Sequence, residues 1–213
     1  FLLGEGIVNS ADELEELTYC RGQETQEYNV VEARLRPGVC FDLERLRRNV
    51  FTSSSCGVCG KASLEAVAFS GCTNLEDEFR VEGRLLPGLP DTLLEGQGVF
   101  ARTGGLHAAG LFGANGELYA LREDVGRHNA VDKVLGRTLL DRKLPADDRI
   151  LVVSGRASFE IVQKALMARV PVLVAVGAPS SLAVDLSEEF GQTLVGFARG
   201  DGFNVYCGNV RLI

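Results

Sequence analysis

Cys56 and Cys59 in Thr52-Ser53-Ser54-Ser55-Cys56-Gly57-Val58-Cys59-Gly60-Lys61 have the spacing best suited to sulfur chemistry in the chain. Small, flexible residues flank both thiols, which predicts an exposed loop able to move. From Arg47 to Lys61 the charged residues are Arg47, Arg48 and Lys61, with no acid among them. That field favours thiolate over thiol and gives the pair a nucleophile's surroundings. Three chemistries use a CxxC: dithiol redox exchange, half of a zinc knuckle, and sulfur carriage as a persulfide. A tetrahedral zinc site needs two further ligands; Cys72 is one candidate, but no second close Cys or His pair follows. A thioredoxin-like role places the pair at the first strand-to-helix turn of a βαβ unit, and here that pattern begins far downstream.

A second group of candidates lies where apolar runs end in small residues. Val153-Ser154-Gly155-Arg156-Ala157-Ser158, Val176-Gly177-Ala178-Pro179-Ser180-Ser181 and Phe197-Ala198-Arg199-Gly200-Asp201-Gly202 each follow such a run, and the first two lead into helical patterns. Open α/β sheets bind ligands at these carboxyl ends, where helix amino termini present N–H groups to phosphates. Arg156 and Arg199 add guanidinium groups able to grip phosphate oxygens in pairs. None of the three is a P-loop or a GxGxxG turn, and glycine with serine is also ordinary structural punctuation at such ends. Both histidines fall in a third group, His107 in Thr103-Gly104-Gly105-Leu106-His107-Ala108-Ala109 and His128 in Glu123-Asp124-Val125-Gly126-Arg127-His128-Asn129-Ala130-Val131-Asp132-Lys133. Each is a candidate general base or metal ligand, although a hydrogen-bonded structural histidine is the commoner case. Glu123 and Asp124 can also serve simply as acids before a helix dipole.

The elements that must position these groups are legible to different degrees. Ser10 followed by acids predicts a helix start over Ala11 to Leu17, Gln26 to Leu35 reads as a strand, and Asp42 to Arg48 has helical spacing. The breakers in Leu85-Leu86-Pro87-Gly88-Leu89-Pro90-Asp91 mark the expected boundary between an irregular α+β lobe, 1–88, and a more regular α/β lobe, 89–213. In the latter, Leu106 to Phe112 and Glu117 to Leu121 flank Asn115-Gly116 as a hairpin, followed by a helix with Ala130, Val131, Val134 and Leu135 on one side. Strands at Ile150–Val153, Val172–Val176 and Thr193–Phe197 alternate with helices over Ser158–Ala168 and Ser181–Phe190. That alternation implies right-handed parallel crossovers in a layered sheet.

Composition narrows the classes. The 213 residues are 46% hydrophobic and 24% charged, within the globular range. Lys+Arg of 22 against Asp+Glu of 29 gives a net charge of −7, which repels phosphate backbones and argues against a nucleic-acid partner, while a small anionic ligand stays compatible. Val170 to Pro179 falls far short of the roughly 20 apolar residues of a membrane span. Six scattered cysteines do not make a secreted disulfide scaffold, and they favour a reducing cytoplasm. The opening Phe-Leu-Leu-Gly-Glu-Gly lacks an initiator Met and a basic flank, and reads as a trimmed start rather than a signal peptide.

Taken in order, CGVCG, TGGLHAAGLF, REDVGRHNAVDKVLGR, SGRASFEIVQKAL, GAPSSLAVDL and LVGFARG closely resemble the formate dehydrogenase accessory sulfurtransferases, a match running from Phe1 to Arg211. The EDVGRHNAVDK and SGRASFEIVQK segments are long and specific, whereas CxxC alone says little. The resemblance implies a cytoplasmic, homodimeric sulfur carrier that takes sulfur from a cysteine desulfurase as a persulfide on Cys56, with Cys59 beside it. It then passes that sulfur to the molybdenum cofactor in its bis(molybdopterin guanine dinucleotide) form before insertion into formate dehydrogenase. It further implies a cytidine-deaminase-like fold for the second lobe, opening strands upstream of Phe1 that are absent from this chain, and cofactor binding by Phe197, Ala198, Arg199, Gly200, Asp201 and Gly202. Ser154 and Ser180 join these on the strand-end argument, with guanine nucleotide as the recognised fragment. Asp201 departs from what phosphate prefers, which points to backbone contacts there. No resident metal is expected, and deamination is not: a zinc deaminase needs H-x-E and a later P-C-x-x-C, whereas His107 is followed by Ala108-Ala109. The competing reading is a non-catalytic chaperone of the guanine dinucleotide cofactor with structural or zinc-bound cysteines.

Overall fold

The computed structural model describes residues 1–19, 28, 30–40, 72–76 and 78–213. Cys56, Cys59 and the helix expected over Asp42 to Arg48 lie outside the described residues.

The centre is a mixed sheet of six strands. In chain order these are β3 (His107–Phe112), β4 (Leu118–Asp124), β5 (Ile150–Val153), β6 (Val172–Ala175), β7 (Thr193–Arg199) and β8 (Gly202–Cys207), and in space they run β4-β3-β5-β6-β7-β8. β5, β6 and β7 are parallel; β3, β4 and β8 join antiparallel. The parallel strands are buried on both faces, which is why Ile150-Leu151-Val152-Val153 and Val172-Leu173-Val174-Ala175 read as continuous apolar runs.

Three helices lie on one face: α3 (Arg127–Leu140), α4 (Phe159–Met167) and α5 (Ser181–Glu189). α4 and α5 are the crossovers from β5 to β6 and from β6 to β7. Both crossovers step the same way along the sheet, so their right-handedness puts both helices on the same side. Leu151, Val153, Leu173 and Leu194 meet Val131, Ile161, Val162 and Leu186 there. The alternate residues Ile150, Val152, Val172, Val174 and Val195 face a thinner layer formed by a 3-10 segment (Gly83–Gly88) and α1 (Leu89–Glu95). The breakers read as a boundary thus build structure: Pro87 sits inside the 3-10 turn, Pro90 in the first turn of α1, and Leu86 is wholly buried. Residues on both sides of position 88 share these cores, with Leu3, Val8, Cys72 and Leu75 on the helical face and Val81 and Leu86 on the other.

The β3–β4 hairpin turns at Asn115-Gly116 as expected, with Gly116 at φ 80° and the Asn115 side chain accepting from Glu117 N at 3.1 Å. The helix expected over Ala11 to Leu17 is corrected. Only Ala11–Glu13 is helical, as a 3-10 turn, and Leu14–Tyr19 is β1, paired antiparallel with β2 (Val31–Leu35) from Leu14↔Leu35 to Tyr19↔Val31. A run this short cannot repay helix nucleation, and ladder bonds to β2 decide the outcome.

Candidate functional site

The sheet brings its three strand ends to one edge. There the hydrogen-bond ladder continues past the strands: Val176 N donates to Val153 O, Gly177 N to Gly155 O, Phe197 N to Gly177 O and Ser180 N to Ala157 O, all at 2.9–3.2 Å. Close approach demands glycine at Gly177, where a Cβ would stand 3.1 Å from both N and Cα of Arg156. Phe197 and Gly200 both adopt left-handed backbone, at φ 55° and 57°. For Phe197 that is an uncommon state, and the residue is 39% exposed at the strand end.

The ladder changes what these residues can offer. Ser154 N donates to Ala108 O at 3.0 Å, and Ser154 Oγ accepts from Ala108 N at 2.9 Å. Ser180 caps α5, its Oγ accepting from Ala183 N at 3.2 Å. Both serine N–H groups are therefore committed to the protein and each hydroxyl oxygen already accepts one hydrogen bond, while Ser154 Oγ also lies 3.5 Å from His107 Nδ1. Ala198 is fully buried beneath the edge, which restricts it to backbone contacts, while Arg199, Gly200, Asp201 and Gly202 are exposed.

Below the edge, on the α1 side, lies a cavity of about 480 Å³. Arg199, Ser154 and His107 are among its lining residues, with Asp91, Gln97 and the apolar Phe100. Ser154 and Arg199, chosen from sequence, are thus brought to one cavity together with His107. Ser180, Phe197, Ala198, Gly200, Asp201 and Gly202 do not line it.

The two longest motifs meet on the opposite face. His128, on α3, places Nε2 2.8 Å from Ser158 Oγ at the start of α4, and Asp132 Oδ1 lies 2.7 Å from Lys164 Nζ one turn further on. Glu160 Oε2 stands 3.8 Å from the same Nε2 of His128. An orienting carboxylate belongs on the other ring nitrogen, so the three do not form a nucleophilic relay. Burial, and next the Arg127 charge, hold His128 toward its neutral form. Asp124 accepts from Lys133, from Gly126 N at 2.9 Å and from Asn129 Nδ2 at 3.0 Å, and its acidity is driven to about 2, the Lys133 hydrogen bond being the largest cause. Glu123 turns the other way: its oxygens accept from Phe100 N at 2.7 Å and Val99 N at 3.0 Å, capping α2 (Phe100–Thr103) rather than α3.

Cys72 was a candidate third zinc ligand. Its thiol points into the core, 3.2 Å from Met167 Sδ, and burial raises it to about 12. A buried thiol so far from thiolate is poorly suited to act as a zinc ligand. Sequence reasoning passed over Gln97 altogether. It is a polar residue in a loop, and nothing in its local pattern announces that it is 3% exposed.

Fold and site together define the class: a mixed α/β sheet with a cavity near the carboxyl ends of its parallel strands, Arg199 in its lining. The comparisons with known proteins make this particular. The model of the FdhD/NarQ family matches residues 1–213, and the chain belongs to that family. It is 55% identical to the sulfur carrier protein FdhD of Streptomyces avermitilis, covering 100% of this chain and 77% of that one. Against the sulfur carrier protein FdhD of Mycobacterium tuberculosis the identity is 51%, covering 97% and 77%. The crystal structure of a formate dehydrogenase accessory protein from Desulfotalea psychrophila superposes with a TM-score of 0.73 at 26% identity, covering all of this chain and 76% of that one. The resemblance read from the motifs is therefore borne out at the level of family. Among the described residues no helix is long and apolar enough to cross a membrane.

Proposed function

We propose that this chain is a sulfur carrier required for formate dehydrogenase maturation, working as a persulfide sulfurtransferase in the cytoplasm. Cys56 thiolate attacks the outer sulfur of a cysteine desulfurase persulfide; the S–S bond breaks, the desulfurase cysteine leaves as thiolate, and Cys56 carries the sulfur. Cys59 resolves or relays it. The recipient is the molybdenum cofactor as bis(molybdopterin guanine dinucleotide), held as cargo before insertion into formate dehydrogenase. We further propose a homodimer and, for residues 89–213, a cytidine-deaminase-like arrangement.

The observation that carries the sulfur assignment is the identity with the sulfur carrier proteins over the whole chain, together with the acid-free stretch around the CxxC. The cargo site is supported by the strand-end cavity. Arg199 offers a guanidinium, Ser154 a hydroxyl, and the exposed Gly200 to Gly202 turn a glycine-rich backbone that lets phosphate approach. Phe197, Ala198, Arg199, Gly200, Asp201, Gly202, Ser154 and Ser180 are the residues assigned to it.

The deciding experiment is mass spectrometry of the CxxC peptide after incubation with a cysteine desulfurase and cysteine. A mass increase of one sulfur, absent from the Cys56→Ala variant, supports the carrier. An unmodified peptide from folded protein, with nucleotide binding intact, leaves the non-catalytic chaperone instead.

A further inference from the structure

Arg127 is the first residue of α3 and is partly buried; its Nε is buried and, among the described residues, has no hydrogen-bond partner. The position is costly twice over. The first turn of α3 holds no acid, so a cation there meets the positive end of the helix dipole, and a buried guanidinium nitrogen left unpaired calls for an explanation. The neighbouring acids are engaged elsewhere: Asp124 by Lys133, Gly126 N and Asn129, Glu123 by Val99 N and Phe100 N, and Glu160 beside His128. Across Gly155 Arg127 meets His107. A Cβ on Gly155 would stand 3.4 Å from His107 Nδ1 and 3.6 Å from Arg127 Cδ, so both side chains bound the space over this glycine. Ser154 Oγ, which accepts from Ala108 N, lies 3.5 Å from the same Nδ1. Its hydroxyl hydrogen turned toward Nδ1 leaves the imidazole proton on Nε2, as a donor for a ligand. His107 also lines the strand-end cavity, together with Arg199. His107 is on β3 and Arg199 on β7, three strand spacings apart in the order β3-β5-β6-β7, or roughly 14 Å.

We infer that Arg127 and His107, facing each other across Gly155, form a subsite for the anionic sulfur in transfer, separate from the Arg199 end of the edge. This rests on the sulfur-carrier reading above and goes beyond it by naming the groups that receive the sulfur. Arg127 supplies the charge and the unpaired Nε–H; His107 supplies a neutral second donor, held by Ser154. A sulfur anion suits these groups better than phosphate does. Its charge is spread over a large atom and costs less to dehydrate, and a donor already out of water favours the ligand that gives up its own water more readily.

The test is calorimetry on the full chain with thiosulfate, an anion that ends in a lone sulfur, against inorganic phosphate and guanosine diphosphate. Wild type is expected to bind thiosulfate about tenfold more tightly than inorganic phosphate. Arg127→Gln is expected to weaken thiosulfate by about tenfold or more and to leave guanosine diphosphate unchanged. Gly155→Ala, which keeps both side chains and puts a methyl between them, is expected to weaken thiosulfate as well. Folded wild type that binds no thiosulfate at millimolar concentration, or binds phosphate as tightly, overturns the inference. So does wild-type thiosulfate affinity in either variant, or an Arg127→Gln protein that loses guanosine diphosphate in equal measure. If Arg127→Gln does not fold, Arg127→Lys keeps a cation, removes Nε, and is expected to show the same direction of change; unchanged affinity there also overturns it. Loss of the thiosulfate site removes this inference alone, whereas a Cys56 that takes up no sulfur from the desulfurase removes the carrier reading with it.

Discussion

His128 Nε2 lies 2.8 Å from Ser158 Oγ, joining the first turn of α3 to the residue that precedes α4. The contact uses the Ser158 hydroxyl that would otherwise cap α4, and it ties together the helix after β4 and the helix after β5. Its consequence is a dependence on pH. The folded state lowers the pKa of His128 below the ordinary 6.5, burial being the first cause. Below 6.5 the unfolded chain therefore takes up a proton that the native state resists. Stability from this group is complete above that value and falls as pH drops through it. Urea unfolding midpoints at pH 7.5 and 5.5 should show a decline that His128→Gln flattens; an identical slope in the variant assigns the pH effect elsewhere.

Asp124 acts in a lower window. Held at about 2 by Lys133 and the Gly126 N–H, it stabilises the fold above the usual carboxylate value of 3.8 and loses that contribution as pH falls toward 2. Asp124→Asn should lower the midpoint at pH 7 while reducing the loss between pH 4 and 2.

Breaking the Asp132–Lys164 pair should be costly because the Lys164 side chain is 8% exposed and Asp132 19%. Asp132→Asn leaves that ammonium nearly buried and uncompensated, with an expected loss of about 3 kcal/mol. Asp132→Leu with Lys164→Met, which removes both charges, should cost clearly less, as read from chemical denaturation.

At the candidate site, Ser154→Ala removes the acceptor for Ala108 N and should cost about 1–2 kcal/mol of stability. Gly177→Ala forces a methyl against the Arg156 backbone and should displace that loop. If the strand-end edge binds the nucleotide, both variants weaken guanosine diphosphate in calorimetry, and Gly177→Ala does so more strongly for its cost in stability.

The cysteines should separate by reactivity. Cys56→Ala is expected to abolish sulfur delivery to formate dehydrogenase, and Cys59→Ala to weaken it without preventing persulfide loading. Cys72, buried and raised to about 12, should resist alkylation in native protein while the exposed Cys40 reacts, as peptide mass spectrometry would register. Rapid native labelling of Cys72 would show that this part of the core opens readily.

What the sequence determined by itself is whatever depends on neighbours along the chain. The doubly buried runs of β5 and β6, the Asn115-Gly116 hairpin, the α3 stripe of Ala130, Val131, Val134 and Leu135, and the glycines after each parallel strand follow from periodicity and backbone sterics acting over a few residues. The family followed from motif order. Tertiary structure alone decided the rest, because burial and pairing depend on residues far apart in sequence. Leu14 belongs to a strand because β2 lies beside it; Glu123 caps α2 because β4 runs past that helix; Ser154 spends its N–H and one of its hydroxyl lone pairs on Ala108 because β3 and β5 are adjacent. Gln97 carries the clearest case. A glutamine between two glycines reads as solvated loop, and only the packing of α1 against the sheet turns its carboxamide into a buried group facing a cavity.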